Sequence, residues 1–266
     1  MKARLRRMAW IRDTYGLVIG SEGGSAYAAS TIHFAHGMLT PVIGFGDPDL
    51  KNPQSPYFLG RYWPADAPAV FFKQVPLKPR YYRFYFDPRF RLPIYQTVFH
   101  DSVVATHHWS SPSLKFEDQI VEQALLELLY LVPPLYHLNH KEFTRQEARL
   151  KAHYVFFSPL HRETALLPLT DFSWLTPDRS IQRTLFGGKI EMVANFSRRP
   201  FSYRGIALPA RSILAFRRDT GRSQIYTPPS AAVSSTSPPD IGLHGPFVHV
   251  PPLLDRPGAQ LLDNLH

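Results

Sequence analysis

The sequence predicts a mixed chain, with parallel α/β units first and a small antiparallel β-domain after them. Three observations predict it. Short apolar runs alternate with helical patterns between Gly16 and Phe157, the strand-helix-strand-helix rhythm that builds a parallel sheet. After Leu166 that rhythm gives way to closely spaced β-type segments separated by Gly and Pro turns. Proline is abundant, with 26 in 266 residues, which punctuates loops and argues against an all-helical bundle.

In chain order, residues 1 to 13 read as the end of a helix, because Leu5, Met8, Ala9 and Ile11 or Arg12 fall roughly on one face. Gly16-Leu-Val-Ile-Gly20 reads as a short buried strand, and Ala26 to Phe34 as a helix, small and apolar on one side. Residues 37 to 93 form a long loop insertion. It is marked by Gly-Asp-Pro, Asn-Pro, Ser-Pro, Trp-Pro and Asp-Pro steps and by aromatics such as Tyr57, Trp63, Tyr81 and Phe86. Loops of that length are functional or form a subsidiary unit. Leu92 to Val104 is expected to be a second strand region containing His100-Asp101. Phe116 to Leu131 is an amphipathic helix, with Ile120, Val121, Ala124, Leu125, Leu128 and Leu129 at helical spacing and acids in its first turn. Val132 to Leu138 reads as a third strand. Lys141 to Phe157 reads as a helix capped by Asn139 or Thr144.

In the β-domain, expected over 166–226, Arg183 to Gly188 is a strand entering a hairpin turn. Lys189 to Asn195, Phe201 to Ile206 and Ser212 to Phe216 follow as strands. From Thr227 onward Ser and Pro dominate, and residues 227–266 are expected to be a poorly ordered tail.

Composition excludes several chemistries. The chain lacks cysteine, which removes disulfides, thiolate metal sites and Cys nucleophiles. Its 30 Lys and Arg outnumber 21 Asp and Glu, but they are scattered and no nucleic-acid module surrounds them, so no nucleic-acid partner is expected. No apolar run approaches the roughly 20 residues of a membrane span. Asp13 and Gly16 interrupt any signal-peptide pattern. There is no Gly-x-Ser-x-Gly elbow, phosphate loop or dinucleotide fingerprint, and neither a cofactor nor a metal is expected.

Glu22 is the leading candidate for chemistry. It follows an apolar run and is flanked by Ser21 and Gly23-Gly24, and glycine lets a substrate come close. As a function it is a general acid/base at the carboxyl end of a strand; as plain structure it is a loop acid with a local hydrogen bond. His100-Asp101 is an ionisable pair in an expected strand, which buried strands rarely carry without reason. Asp101 would bind sugar hydroxyls, pair with Glu22 as a second carboxylate, or simply form a strand-end salt bridge. In His107-His108-Trp109 the adjacent imidazoles diverge, which is poor metal-ligand spacing. Trp109 would stack on a sugar ring or plug a rim, and Trp63 has the same two readings. Tyr136, with His137, would face the mouth of the site or pack with its hydroxyl satisfied.

These segments also resemble a known family. Leu17-Val-Ile-Gly-Ser-Glu-Gly-Gly24, Arg91-Leu-Pro-Ile-Tyr-Gln-Thr-Val-Phe-His-Asp101, His108-Trp109 and Val132-Pro-Pro-Leu-Tyr-His137 are similar to glycoside hydrolase family 129, relatives of the family 101 endo-α-N-acetylgalactosaminidases. Leu175 to Gly188, Val193 to Ser197 and Leu208 to Ser212 resemble the β-domain that follows the barrel in that group. The resemblance implies the C-terminal part of a (β/α)8 barrel over 1–165, followed by a small antiparallel β-sandwich. It implies a retaining α-glycosidase acting on a carbohydrate, with α-N-acetylgalactosaminides as candidates and Glu22 as acid/base. Asp101, His100, His108, Trp109 and Tyr136 would shape the sugar subsite. The family's nucleophilic Asp lies on the preceding strand, which would fall before Met1. The chain is therefore expected to be a C-terminal fragment with little activity alone. Two alternatives stand beside it: an intact hydrolase using Glu22 and Asp101, and a non-catalytic carbohydrate-binding protein.

Overall fold

The computed structural model describes residues 1–23, 26–39, 46–59, 74–108 and 111–230. Helix α1 (Lys2–Tyr15) ends at Gly16, and its Leu5 and Met8 pack on a small cluster of Ala28, Ile32, Ala35 and Val103. That cluster lies beside a three-stranded parallel sheet. Its strands are β1 (Gly20–Ser21), β2 (Phe34–Ala35) and β3 (Val104–Ala105), in the order β1-β2-β3. The register pairs Gly20 with Phe34 and Phe34 with Val104, one residue further Ser21 with Ala35 and Ala35 with Ala105.

Four expected elements before residue 140 take another form. The expected strand over 16–20 contracts to Gly20–Ser21, and Leu17 and Val18 are exposed. The expected helix over 26–34 is a single 3-10 turn (Ala26–Ala28) leading into β2. The expected strand over 92–104 is largely helical: α3 (Ile94–Phe99) occupies its middle and β3 only its end. Short apolar runs fit either periodicity, and here tertiary packing on Leu169–Trp174 selects the helix. The segment 132–138 lies outside any named strand; Leu135 exchanges hydrogen bonds with Ser113 instead, at 2.8 and 2.9 Å. Within the long insertion, α2 (Pro79–Tyr85) is the described helix.

Helix α4 (Ile120–Tyr130) is not amphipathic in its setting. Ten of its eleven residues are buried, including Glu122, Gln123 and Glu127. It is wrapped by the insertion and by α5 (His140–Thr164), whose N-cap Asn139 accepts a hydrogen bond from the Glu142 amide at 2.8 Å. The cap is the expected one; the helix continues past Phe157, carrying Pro159 within it.

The antiparallel part is a five-stranded sheet of order β10-β9-β6-β5-β4. Its strands are β4 (Leu169–Trp174), β5 (Ile181–Phe186), β6 (Ile190–Asn195), β9 (Ser212–Arg217) and β10 (Ser223–Tyr226). In place of the single strand expected over 201–206, a hairpin of β7 (Phe201–Tyr203) and β8 (Ile206–Leu208), turned at Arg204-Gly205, lies beside it. Alternation decides the two faces. Met192, Ala194, Ile213 and Ala215 join α4 in the main core, while Val193, Leu214 and Ile181 pack with Leu208 and the hairpin. One face therefore meets a helix and the other a two-stranded ribbon, rather than a second full sheet. On the ribbon side Glu191, fully buried, accepts hydrogen bonds from Tyr203 (2.8 Å), Arg218 (2.7 Å) and Arg204 (3.2 Å). Burial raises its pKa, but those bonds outweigh burial and hold it below the usual glutamate value. No helix among the described residues is long and apolar enough to cross a membrane.

Candidate active site

The carboxyl ends of β1, β2 and β3 lead directly into Glu22, His36 and Thr106-His107-His108. In a parallel sheet these ends share one side, so residues far apart in sequence meet there. The Phe34 ring lies across Gly20, where a Cβ would stand 1.9 Å from the ring's Cζ. No side chain fits at Gly20 while that ring keeps its place. Two residues on, Ser21 donates from Oγ to the Gly23 carbonyl at 2.9 Å, and Gly23 takes φ 111°, a conformation that glycine adopts readily. This turn holds Glu22 exposed at the strand's tip.

The strand ends are tied to one another. The His36 amide donates to the Ser21 carbonyl at 2.9 Å, and the Thr106 amide to the Ala35 carbonyl at 3.1 Å. Thr106 Oγ1 donates to the His107 carbonyl at 3.1 Å and lies 3.0 Å from His36 Nδ1. Its one proton being used, that oxygen accepts from Nδ1–H, which fixes the tautomer and leaves Nε2 as the basic nitrogen of His36. His108 packs against the backbone of Gly37. Burial holds the His108 pKa below the usual histidine value; the charge of Glu22 opposes that shift and His36 adds to it. Glu22 and His36 thus both act on His108 through charge, in opposite directions, and burial favours its neutral imidazole.

Behind this rim is a support that sequence reasoning missed. His107, fully buried, bonds through Nε2 to Glu127 Oε1 at 2.8 Å, and His153 Nε2 stands 3.8 Å from Glu127 Oε2. Glu127 anchors the residue adjacent to His108, so it acts through position rather than contact. The signal was present: Glu122, Gln123 and Glu127 match no single polar stripe on α4, which marks buried, partnered polar groups.

The other expected site residues are scattered. His100 and Asp101 follow α3 and precede β3, so they lie at the amino end of the parallel ladder, opposite Glu22. His100 Nδ1 contacts the Leu167 carbonyl at 2.9 Å and its ring packs on Phe186, while Asp101 accepts from Ser102 Oγ at 2.8 Å. The expected Glu22–Asp101 carboxylate pair therefore does not form; it depended on a strand that is a helix here. Tyr136 is half-buried beside Glu127, Arg149, His153 and Tyr226, and burial, reinforced by Glu127, pushes its hydroxyl pKa well up. It belongs to the support behind the rim. Trp109 and Trp63 lie outside the described residues. No group of three or more His, Asp or Glu among the described residues could hold a metal ion.

The family described as glycosyl hydrolases related to the GH101 family, GH129, matches residues 1–185. Comparison with curated protein sequences returns no relative. Among solved structures, the chain is similar to the ligand-free α-N-acetylgalactosaminidase NagBb from Bifidobacterium bifidum. The TM-score is 0.43 at 17% identity, over 73% of this chain and 24% of that one. For the GalNAc complex of the same protein the TM-score is 0.41 at 15% identity, over 79% and 27%. The chain spans about a quarter of the length of these structures.

Proposed function

This chain belongs to the GH129 family of glycosyl hydrolases, related to GH101, and from that premise we propose that it carries the acid/base carboxylate of a retaining α-glycosidase. The substrates in this reading are α-linked N-acetylgalactosaminides. The observation that carries it is the position of Glu22 at the carboxyl end of a parallel ladder, where Glu22 and His36 both act on His108 through charge. We read β1, β2 and β3 as consecutive strands of a (β/α)8 barrel, a fold whose active sites sit at that end. Residues 1–165 would be barrel and 166–226 a separate β-domain.

Glu22 protonates the departing glycosidic oxygen and then takes a proton from water. His108 and the Nε2 of His36 hold sugar hydroxyls, and Trp109, next in sequence, is the proposed partner of the sugar ring. A retaining mechanism also needs a nucleophilic carboxylate about 5 Å from the acid/base. Asp101, at the amino end, is left out of the pair.

The test uses the 266-residue chain with N-acetylgalactosamine and its 4-nitrophenyl α-glycoside. NMR should show sugar-induced shifts at Ser21 to Gly23, His36 and His108, with slow turnover that Glu22→Gln abolishes while sugar binding persists. Turnover surviving Glu22→Gln would remove the acid/base role. Sugar-induced shifts that spare Ser21 to Gly23 would overturn the site.

A further inference from the structure

On the loop side of β2, a cavity of about 280 Å³ is lined by Met38, Tyr85, Arg91, Tyr95, Gln96 and Tyr130, among others. Arg91 is 8% exposed, and its Nε and both Nη atoms meet no hydrogen-bond partner among the described residues. Its guanidinium stacks over the Phe196 ring at 4.9 Å, a contact that satisfies none of its N–H groups. The hydroxyls of Tyr95 and Tyr130 in the same lining also lack partners among the described residues. The nearby acids are engaged elsewhere: Asp87 with Arg89, and Glu122 through Oε1 with Arg211. They act on Arg91 through space. Burial pushes the guanidinium pKa down to about 10, which leaves it cationic at neutral pH.

A buried cation with five unused donors is costly unless an anion reaches it. A guanidinium fork matches a carboxylate bidentately, and phenol hydroxyls add donors to the same oxygens. The rest of the lining suits an apolar body: Phe84, Phe90, Leu92 and Ile94 border the cavity and are exposed. The volume equals about nine waters at roughly 30 Å³ each, the scale of one small ring plus its acid group. We propose that this cavity binds a small monocarboxylate with an apolar body, its carboxylate held by Arg91, Tyr130 and Tyr95 and its body against Phe84, Phe90 and Leu92. The lining does not include Glu22, His36 or His108, so the site is separate from the proposed catalytic one.

Benzoate is the probe, with thermal melting and calorimetry as readouts on the full chain. Saturating benzoate should raise the melting temperature by about 5 °C at a hundredfold excess over Kd. Arg91→Met should leave the ligand-free melting temperature unchanged or higher, since it removes an unpartnered buried charge, and should abolish the benzoate effect. Tyr130→Phe should weaken binding about tenfold. Glu22→Gln should leave benzoate binding intact, which separates this site from the glycosidase reading. Absence of a benzoate effect, or one surviving Arg91→Met, overturns the proposal. Inorganic phosphate giving an equal rise also overturns it, because the apolar body would then contribute nothing. If Arg91→Met does not fold, Tyr130→Phe decides: unchanged affinity overturns the proposal.

Discussion

The close approach near the proposed catalytic carboxylate, between Gly20 and the Phe34 ring, yields a quantitative prediction. In Gly20→Ala the new methyl would lie 1.9 Å from Cζ and 2.3 and 2.4 Å from the two Cε atoms of Phe34. Distances that short force the ring aside. Overpacking of this kind costs about 1–3 kcal/mol. Replacing glycine in a strand returns about 0.5–1 kcal/mol through reduced unfolded-state freedom. The net loss should be about 0–2.5 kcal/mol. Phe34→Ala alone should cost about 2 kcal/mol, below the range for a fully buried ring because Phe34 is half-buried. In the double variant the methyl added at position 20 occupies space the ring has left, so the two losses should fall short of their sum by about 1–2 kcal/mol. Urea denaturation of the four proteins measures this cycle, and additivity within about 0.5 kcal/mol would refute the clamp. Because Glu22 follows two residues later, Gly20→Ala should also weaken the sugar-induced NMR shifts at Gly23.

Further outcomes follow from the polar interior. His153 is buried and its pKa is lowered by burial, with Glu127 opposing, so the unfolded chain takes up its proton first. Its contribution to stability is present above about pH 6.5 and lost as pH falls below that. Urea denaturation between pH 5 and 8 should show a slope that His153→Phe reduces by at most about 1.4 kcal/mol per pH unit. Glu191→Gln should cost about 2–3 kcal/mol in the same assay. That value is discounted because Arg204 and Arg218 keep partial access to water. Asn139→Ala, which removes the cap of α5, should cost about 1 kcal/mol.

Local chemistry was the legible part of this fold. The cap at Asn139 and the Gly187-Gly188 turn between β5 and β6 each depend on neighbours in sequence. The parallel ladder does not. β1 and β3 join the same sheet across more than 80 residues, and each strand is two residues long, too short for a period of two to register. The runs 16–20, 92–104 and 132–138 are apolar enough for a strand, and packing partners decided their form. β4 and β10 escaped notice because they edge the sheet and carry exposed polar residues such as Thr170, Ser223 and Gln224. Within the site, glycine and serine around Glu22 drew attention to it. His36 gave no such signal, since its partner Thr106 becomes a neighbour only through strand pairing.

The proposed acid rides on the part of the chain that is least deeply anchored. Two-residue strands and a cluster of four buried side chains hold it, whereas β5, β6 and β9 each run six residues against a much larger core. Heating should therefore detach the ladder before the antiparallel sheet gives way. Sugar recognition would fade several degrees below the temperature at which circular dichroism reports collapse, and a saturating sugar would draw the two temperatures together.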